Sequence, residues 1–159
     1  MMKIAEQLVE LLIEKGYHIS CAESCTGGKV TGAIVDVPDA SKVLEASIVT
    51  YSNEAKMHYL QVKEETLAQY GAVSSQTAQE MAVGIATVNH AQVGIAVTGT
   101  AGPGGGTVEK PVGTVWFGFY INGTVITEKK QFGEIGRNAV RDASVAFVLE
   151  RTLELLKEA

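Results

Sequence analysis

Residues 22–28 read Ala-Glu-Ser-Cys-Thr-Gly-Gly and separate two segments of different apolar periodicity. Residues 17–21 alternate as a strand does and residues 30–37 have helical apolar spacing, so this order predicts strand, tight turn and helix. The first turn of a helix has backbone N–H groups without internal partners and carries the positive end of the helix dipole. Gly27 and Gly28 would let another molecule approach that backbone closely. The turn suits a phosphate or an oxyanion beside a nucleophile, and a helix cap with a close-packed glycine turn is the alternative.

The remainder of the chain alternates between strand-like and helical patterns. Helices are predicted at residues 1–15, about 24–37, 63–70, 74–89 and 137–157, with a short one opening at 51–56, and strands at residues 17–21, 44–50, 92–97, 113–120 and 124–131. Asn122-Gly123, between the last two strands, is a strong hairpin signal. This order predicts an α/β fold, namely a three-layer α/β/α sandwich with a mixed, mostly parallel sheet and a late antiparallel hairpin. Residues 1–159 are expected to form a single domain.

Composition and charge argue against several classes of function. The net charge of −5, without a run of like charges, argues against a nucleic-acid-binding surface. No apolar run approaches the roughly 20 residues of a membrane helix, and residues 1–15 lack the basic start and cleavage site of a signal peptide. We therefore expect a cytoplasmic protein that binds neither nucleic acid nor a membrane.

The sequence lacks the motifs of common cofactors. The spacing of Cys21 and Cys25 fits neither a redox pair nor a zinc site, and no group of His, Cys, Asp and Glu has metal-ligand spacing. No G-x-G-x-x-G opens a helix after the first strand, and no P-loop motif is present. We expect no metal and no cofactor, and neither dinucleotide redox chemistry nor P-loop hydrolysis.

Hydroxyl and amine groups follow three of the predicted strands. Ser24 follows the first strand, Tyr51 and Lys56 follow the second, and Thr98 follows the third. Ligands of open α/β sheets bind at the carboxyl ends of the strands. Ser24 is the leading nucleophile, and a serine hydroxyl needs a base. Lys56 can serve as that base if it is desolvated, because desolvation lowers the pKa of a lysine, whereas a solvated surface lysine is the alternative.

Three other residues near these turns each have a functional and a structural interpretation. Tyr51 would position the lysine or the nucleophile by hydrogen bonding, or be a half-buried tyrosine at a strand end. Cys25 is a rival nucleophile because a thiol at a helix N-terminus has a depressed pKa, or it is a small buried residue. Thr98 would join Ser24 and Lys56 in one network, or cap a loop. The three histidines adjoin no glycine turn and are interpreted as structural or surface residues, at His18, His58 and His90.

Two further features suit phosphate. Residues 99–107 form a glycine-dense loop whose backbone N–H groups fit phosphate or an oxyanion, and a mobile lid is compatible with that role. Arg137 and Arg141 lie four apart at the start of the last helix, where they can clamp phosphate or pair with Glu134 or Asp142. The predicted binding groups are Thr26, Gly27, Gly28, Gly99, Ala101, Gly102, Gly104, Gly105, Arg137 and Arg141.

Four motifs closely resemble one known family. Residues 22–28, 50–56, 71–74 and 98–105 resemble the C-terminal domain of the competence/damage-inducible CinA proteins, a family that includes stand-alone nicotinamide-nucleotide amidases. The match continues through residues 110–115 and covers almost the whole chain. The resemblance implies a single amidase domain that converts nicotinamide mononucleotide to nicotinate mononucleotide and ammonia, in pyridine nucleotide salvage. The implied partner is a small phosphorylated nucleotide substrate.

The resemblance also implies roles for individual residues. Ser24 would be the nucleophile, Lys56 its base, and Tyr51 and Thr98 supporting groups. The glycine loop and one arginine of the last helix would hold the phosphate, and spacing does not choose between the two arginines. A nucleotide-binding or regulatory module without turnover, and an amidase for another phosphorylated amide, are the alternative functions. A homo-oligomer is compatible with an apolar face on the first or last helix, which fits a core position equally.

Overall fold

The computed structural model describes residues 2–159, which form five strands and six α-helices. The elements in chain order are α1 (Ile4–Lys15), β1 (Ile19–Glu23), α2 (Lys29–Val35), β2 (Leu44–Val49), α3 (Asn53–Leu60), α4 (Glu64–Tyr70), α5 (Ser75–Val88), β3 (Val93–Gly99), β4 (Thr114–Ile121), β5 (Thr124–Gln131) and α6 (Arg137–Glu158). A single 3₁₀ turn, Ala40–Lys42, precedes β2.

The strands form one mixed sheet in the order β2-β1-β3-β4-β5. Strand β1 pairs in parallel with β2 and β3, whereas β4 is antiparallel to both β3 and β5. Four of the five strands therefore point the same way, and the hairpin of β4 and β5 turns at Asn122-Gly123. Helices α1, α2 and α6 pack on one face of the sheet, and α3, α4 and α5 on the other. The predicted three-layer α/β/α sandwich with a mixed, mostly parallel sheet is confirmed.

Strand β3 lies in the buried centre of the sheet. Its residues 93–98 are all buried, because β1 and β4 flank it and helices cover both faces. This matches the nearly continuous apolar pattern of the sequence there. The polar Thr98 at its carboxyl end is 1% exposed. The chain thus leaves the sheet interior at Thr98 and enters the glycine loop.

Helix α5 approaches its neighbours closely at three glycines. A Cβ at Gly118 of β4 would lie 2.3 Å from the carbonyl oxygen of Ala78, and one at Gly94 of β3 would lie 2.5 Å from that of Ala82. A Cβ at Gly84 would lie 2.1 Å from the carbonyl oxygen of Leu60, the last residue of α3. Because glycine has no side chain, the backbone of α5 contacts the backbones of β3, β4 and α3 directly at these three positions.

The largest difference from the predicted elements is the start of α2. The sequence pattern predicts a helix from about Ser24, but the helix begins at Lys29. Gly27 and Gly28 have φ angles of 58° and 103°, so the chain turns before it becomes helical. Strand β1 correspondingly extends to Glu23, two residues beyond its predicted end.

Candidate active site

A cavity of about 260 Å³ lies at the carboxyl ends of β1, β2 and β3. Four separate segments of the chain and the start of α6 line it. The lining residues are Ser24, Cys25, Tyr51, Lys56, Ala72, Val73, Thr98, Gly99, Thr100, Ala101, Gly102, Gly104, Gly105 and Arg137. All four predicted catalytic residues, which come from three separate segments of the sequence, are therefore brought to one cavity.

Lys56 is buried at the base of this cavity, and its amine meets Ser24. Its side chain is only 1% exposed, because α3 directs it back toward the ends of the strands. The Nζ atom lies 3.2 Å from Ser24 Oγ, 2.8 Å from the Thr50 carbonyl oxygen and 3.2 Å from the Tyr51 carbonyl oxygen. Burial lowers the pKa of Lys56 from 10.5 to about 8. Roughly a tenth of this lysine is therefore neutral at pH 7, far more than for a lysine in water.

The three contacts of Lys56 determine which group donates the hydrogen bond between Lys56 and Ser24. A neutral amine has two N–H groups and one lone pair, and a carbonyl oxygen can only accept. The two N–H groups are therefore donated to the carbonyls of Thr50 and Tyr51, which leaves the lone pair for the Ser24 hydroxyl. Whereas the ammonium form donates to all three oxygens, in the neutral form the Ser24 hydroxyl therefore donates its hydrogen bond to Nζ. This is the arrangement of a nucleophile with its general base.

The N-terminus of α2 is filled by a carboxylate of the chain itself. Glu23 is 1% exposed and accepts hydrogen bonds from the backbone N–H groups of Gly28, Val30 and Thr31. It also accepts from the hydroxyls of Thr26 and Thr31. The donors and the dipole of the helix start, predicted to attract a phosphate or oxyanion, are thus already satisfied internally.

Three predicted binding residues consequently lie outside the cavity. The Thr26 hydroxyl is directed to Glu23, and the Gly28 N–H is donated to the same carboxylate. The Gly27 N–H closes the turn by donating to the Ser24 carbonyl, 3.0 Å away. The structure brings the glycine loop to the cavity in their place, through Gly99, Ala101, Gly102, Gly104 and Gly105.

Tyr51 and Thr98 line the cavity, but their contacts differ from the predicted ones. Tyr51 contacts Lys56 through its backbone carbonyl, and its phenol oxygen accepts a hydrogen bond from Arg137 Nη2 at 3.0 Å. Its ring is at the mouth of the cavity, with the residue 59% exposed. The Thr98 hydroxyl donates to the Ala72 carbonyl at 2.9 Å, so it fixes the turn before α5 to the end of β3.

The two arginines of α6 have different positions. Arg137 lines the cavity and donates from Nη1 to the Gly102 carbonyl at 2.8 Å. Arg141 lies outside the cavity and donates to the carbonyls of Cys25 and Thr26. Within residues 2–159 neither arginine has a carboxylate within 4 Å, and Asp142 pairs with Lys29 instead.

Cys25 lines the cavity but is a poor nucleophile at neutral pH. Burial raises the pKa of its thiol to about 11. The depressed pKa expected at a helix N-terminus is wrong for this residue, because α2 begins four residues later and a buried carboxylate fills its N-terminus. None of the histidines lines the cavity, and His18 pairs with Glu45 at the surface.

Some residues of the site carry little signal in the sequence. Ala72, Val73 and Thr100 line the cavity without chemistry that would single them out. The carbonyls of Thr50 and Tyr51 orient Lys56, and a backbone contact of this kind does not depend on the side-chain type. In the sequence, the family motif at residues 71–74 is the signal that links this turn to the site.

The described part of the chain contains neither a cluster of metal ligands nor a membrane-spanning helix. Among residues 2–159, no group of three or more His, Cys, Asp or Glu side chains is arranged to hold a metal ion. Each helix in that range is too short or too polar to span a bilayer.

Comparison with known proteins places the chain in a family. The family model of the CinA C-terminal domain matches residues 1–156. This chain belongs to the CinA C-terminal domain family. It is 50% identical over 147 residues to a CinA-like protein of Kosmotoga olearia, covering 92% of this chain and 35% of that protein. The chain spans about a third of the length of the first curated relatives that it matches.

One relative of similar length has a name that states an activity. The nicotinamide-nucleotide amidohydrolase PncC of Enterobacter agglomerans is 47% identical over 152 residues, covering 95% of this chain and 92% of that protein.

Solved structures of CinA proteins share the fold. A CinA superfamily protein of Klebsiella pneumoniae superposes with a TM-score of 0.94 at 37% identity, over 98% of this chain and 97% of that one. The competence/damage inducible protein of Agrobacterium tumefaciens superposes with a TM-score of 0.89 at 42% identity, over 99% of this chain and 98% of that one.

Proposed function

We propose that this protein is an amidohydrolase that converts nicotinamide mononucleotide to nicotinate mononucleotide and ammonia. The observation that carries the proposal is the pairing of Ser24 Oγ with the buried amine of Lys56 at 3.2 Å. The choice of substrate rests on the PncC relative, which is similar over nearly the full length of both chains. The reaction belongs to pyridine nucleotide salvage.

The reaction begins with transfer of the Ser24 proton to Lys56. Ser24 Oγ attacks the carboxamide carbon, and the carbonyl oxygen becomes an oxyanion. Protonated Lys56 then gives its proton to the leaving nitrogen, ammonia departs, and an ester to Ser24 remains. A water molecule, deprotonated by Lys56, hydrolyses this ester to the carboxylate and restores the Ser24 hydroxyl.

The oxyanion requires hydrogen-bond donors, and the turn and the loop supply them. Within residues 2–159, the backbone N–H groups of Cys25, Ala101, Gly102 and Gly104 have no intramolecular partner, and all four residues line the cavity. Each donor aimed at the oxyanion would lower the barrier by roughly 3–4 kcal/mol.

The phosphate of the substrate would lie between Arg137 and the glycine loop. Arg137 is the arginine that lines the cavity, and its guanidinium has no carboxylate within 4 Å in residues 2–159. Its contacts are neutral oxygens of Gly102 and Tyr51, so its positive charge remains available to an anion. We therefore assign phosphate binding to Arg137 rather than to Arg141.

Ammonia release from nicotinamide mononucleotide by the purified protein tests this proposal. Ser24→Ala and Lys56→Ala should each lower kcat by at least about 10³-fold, because the nucleophile and its base act as a unit. Ser41→Ala and Lys42→Ala are matched controls at exposed positions outside the cavity, and both should keep wild-type activity. Calorimetry should show that Ser24→Ala still binds the nucleotide.

Three outcomes would redirect the assignment. Full activity of Ser24→Ala would exclude the serine route and leave Cys25 or a bound water as the nucleophile. Binding of the nucleotide without ammonia release by the wild type would favour a regulatory module. Turnover of other phosphorylated amides alone would keep the chemistry and change the substrate.

A further inference from the structure

Arg141 bridges α6 to the turn that carries the proposed nucleophile. Its Nε donates to the Cys25 carbonyl at 2.9 Å and its Nη2 to the Thr26 carbonyl at 3.1 Å. Its Nη1 donates to Asn138 Oδ1 at 3.0 Å, within the same helix. The guanidinium therefore uses its planar fork of donors to hold two successive carbonyls, a geometry that a lysine ammonium does not reproduce.

The turn is anchored at its other end by the sheet. The Ser24 N–H donates to the Val97 carbonyl of β3 at 3.0 Å, and the Gly27 N–H donates to the Ser24 carbonyl. A Cβ at Gly27 would lie 3.3 Å from Arg141 Nη2, so the guanidinium lies directly against the turn. Residues 24–27 are thus held between β3 and Arg141.

A carboxylate and a guanidinium bind the backbone on either side of residue 27. The carboxylate binds N–H groups at the helix start, and the guanidinium binds carbonyl groups of the turn. The Glu23 carboxylate accepts from N–H groups at the start of α2, and the Arg141 guanidinium donates to the carbonyls of the turn. Within residues 2–159, the N–H groups of Cys25 and Thr26 are the ones in this turn that remain without a partner. Of these two residues Cys25 lines the cavity, so its N–H is the one placed to reach an oxyanion there.

We propose that Arg141 is a positioning residue for the nucleophile. It holds the turn so that Ser24 Oγ stays within reach of Lys56 Nζ and the Cys25 N–H stays free for the oxyanion. This inference rests on the proposed acyl-transfer function of the same site. Arg141 acts through the backbone of the turn and does not contact the substrate, in contrast to Arg137.

Steady-state kinetics separates positioning from binding. Arg141→Ala should lower kcat by about 10²-fold with little change in KM, since small displacements of a reacting group have effects of that size. Arg137→Ala should mainly raise KM. Arg141→Lys should recover part of the lost kcat, because an ammonium can donate to one of the two carbonyls.

Arg151 of the same helix provides the matched control. It pairs with Glu128 and Glu154, far from the cavity lining. Arg151→Ala should keep wild-type kcat and KM. Thermal unfolding of all variants measures the folded fraction, and a loss of kcat in Arg141→Ala that merely follows this fraction would overturn the proposal.

Binding must be unaffected if Arg141 only positions the turn. In a Ser24→Ala background, calorimetry should give nicotinamide mononucleotide the same Kd with and without Arg141→Ala. A large rise in Kd, or a rise in KM at unchanged kcat, would identify Arg141 as a binding residue and overturn the proposal.

Labelling of Ser24 by an alkyl phosphonofluoridate tests the same point without the amide substrate. Ser24 Oγ forms a bond to phosphorus, fluoride leaves, and the proton passes to Lys56. Mass spectrometry should show slower labelling of Arg141→Ala than of wild type and Arg151→Ala.

The labelling result distinguishes failure of this inference from failure of the proposed function. Slower labelling of Arg141→Ala in a protein that does not hydrolyse nicotinamide mononucleotide would retain the positioning role and reject the substrate. Equal labelling rates would overturn the positioning role alone. No labelling of the wild type would overturn it together with the nucleophile on which it depends.

Discussion

Lys56 is the residue on which the site depends most. Its amine is buried without a carboxylate partner within 4 Å in the described chain, and its three contacts are one hydroxyl and two carbonyls. Burial of a cation in such surroundings favours the neutral form, which lowers the pKa of Lys56 to about 8. The same burial that would suit Lys56 to the proposed role of base is therefore expected to reduce the stability of the fold at neutral pH.

The pH dependence of unfolding should reveal this lysine. Its folded pKa of about 8 lies below its ordinary 10.5, so between these values the unfolded chain binds more protons at this position than the folded protein does. The contribution of Lys56 to the free energy of unfolding therefore rises with pH in this window, by up to about 1.4 kcal/mol per pH unit, and is constant below pH 8. Urea unfolding of wild type and Lys56→Met across this range measures the difference.

The comparison with Lys56→Met is needed because the two buried cysteines lower the free energy of unfolding as pH rises, whereas Lys56 raises it. Burial raises the thiol pKa values of Cys21 and Cys25 above 9.0, so their contribution to stability falls as pH rises above 9. The fall due to Cys21 is common to both proteins and cancels in the difference, whereas the Cys25 thiol, which interacts with the charge of Lys56, adds a lesser difference above pH 9. Parallel pH curves for the two proteins would show that the pKa of Lys56 is not lowered. In the wild type, kcat/KM should rise with pH with a midpoint near pH 8, the folded pKa of Lys56.

At the scale of elements, the position of Lys56 depends on how α3 packs against α5. Gly84 of α5 faces the carbonyl oxygen of Leu60, at the last turn of the helix that carries Lys56. Gly32 of α2 is also helical, but a Cβ there would meet nothing within 4 Å. The chain thus offers the same residue type in two helices, one at a backbone contact and one in open space.

Alanine substitutions at these two glycines should change stability in opposite directions. Gly84→Ala should destabilise the protein by about 1–3 kcal/mol, because its methyl group must displace the end of α3. Gly32→Ala should stabilise it by about 0.5–1 kcal/mol, because alanine loses less backbone entropy in a helix. Chemical unfolding measures both.

Activity gives a second check on the same pair. Gly84→Ala should also lower kcat, since a displaced α3 moves Lys56 away from Ser24, and Gly32→Ala should leave kcat unchanged. Equal stability of the two variants would contradict the packing of α3 against α5 described above.

At the scale of the whole molecule, the site exists only when the sheet is assembled. Ser24 follows β1, Lys56 follows β2, the glycine loop follows β3, and Arg137 begins α6. In the unfolded chain these groups are far apart, so a ligand of the cavity binds the folded state alone. Binding is therefore linked to the unfolding of the sheet as a whole.

Nicotinamide mononucleotide should stabilise the Ser24→Ala protein against unfolding. At a free concentration about 100 times its Kd, the gain in the free energy of unfolding should be about 2.7 kcal/mol. Thermal unfolding with and without the nucleotide measures this gain, and Ser24→Ala prevents turnover. Arg137→Ala in the same background should show a smaller gain at the same concentration. No shift in Tm at any concentration would contradict binding in this cavity.

The sequence by itself determined the type of fold and indicated Ser24 and Lys56 as the pair that we propose to be catalytic. Apolar periodicity and Asn122-Gly123 are local signals, because a helix or a hairpin is formed by residues that are neighbours in the chain. They predicted the alternation of helices and strands and the late hairpin, and the positions of Ser24 and Lys56 just beyond two strand ends. The family resemblance followed from four such local motifs.

The tertiary structure decided which polar groups satisfy one another and which face the cavity. Sequence spacing could not show that Glu23 occupies the start of α2, that Arg141 holds the carbonyls of Cys25 and Thr26, or that Arg137 alone of the two arginines reaches the cavity. These outcomes depend on contacts between residues as many as 116 positions apart. They also depend on burial, which lowers the pKa of Lys56 and raises that of Cys25. Local patterns carry no information on either, because distance through space and exclusion of water arise only when the elements pack together.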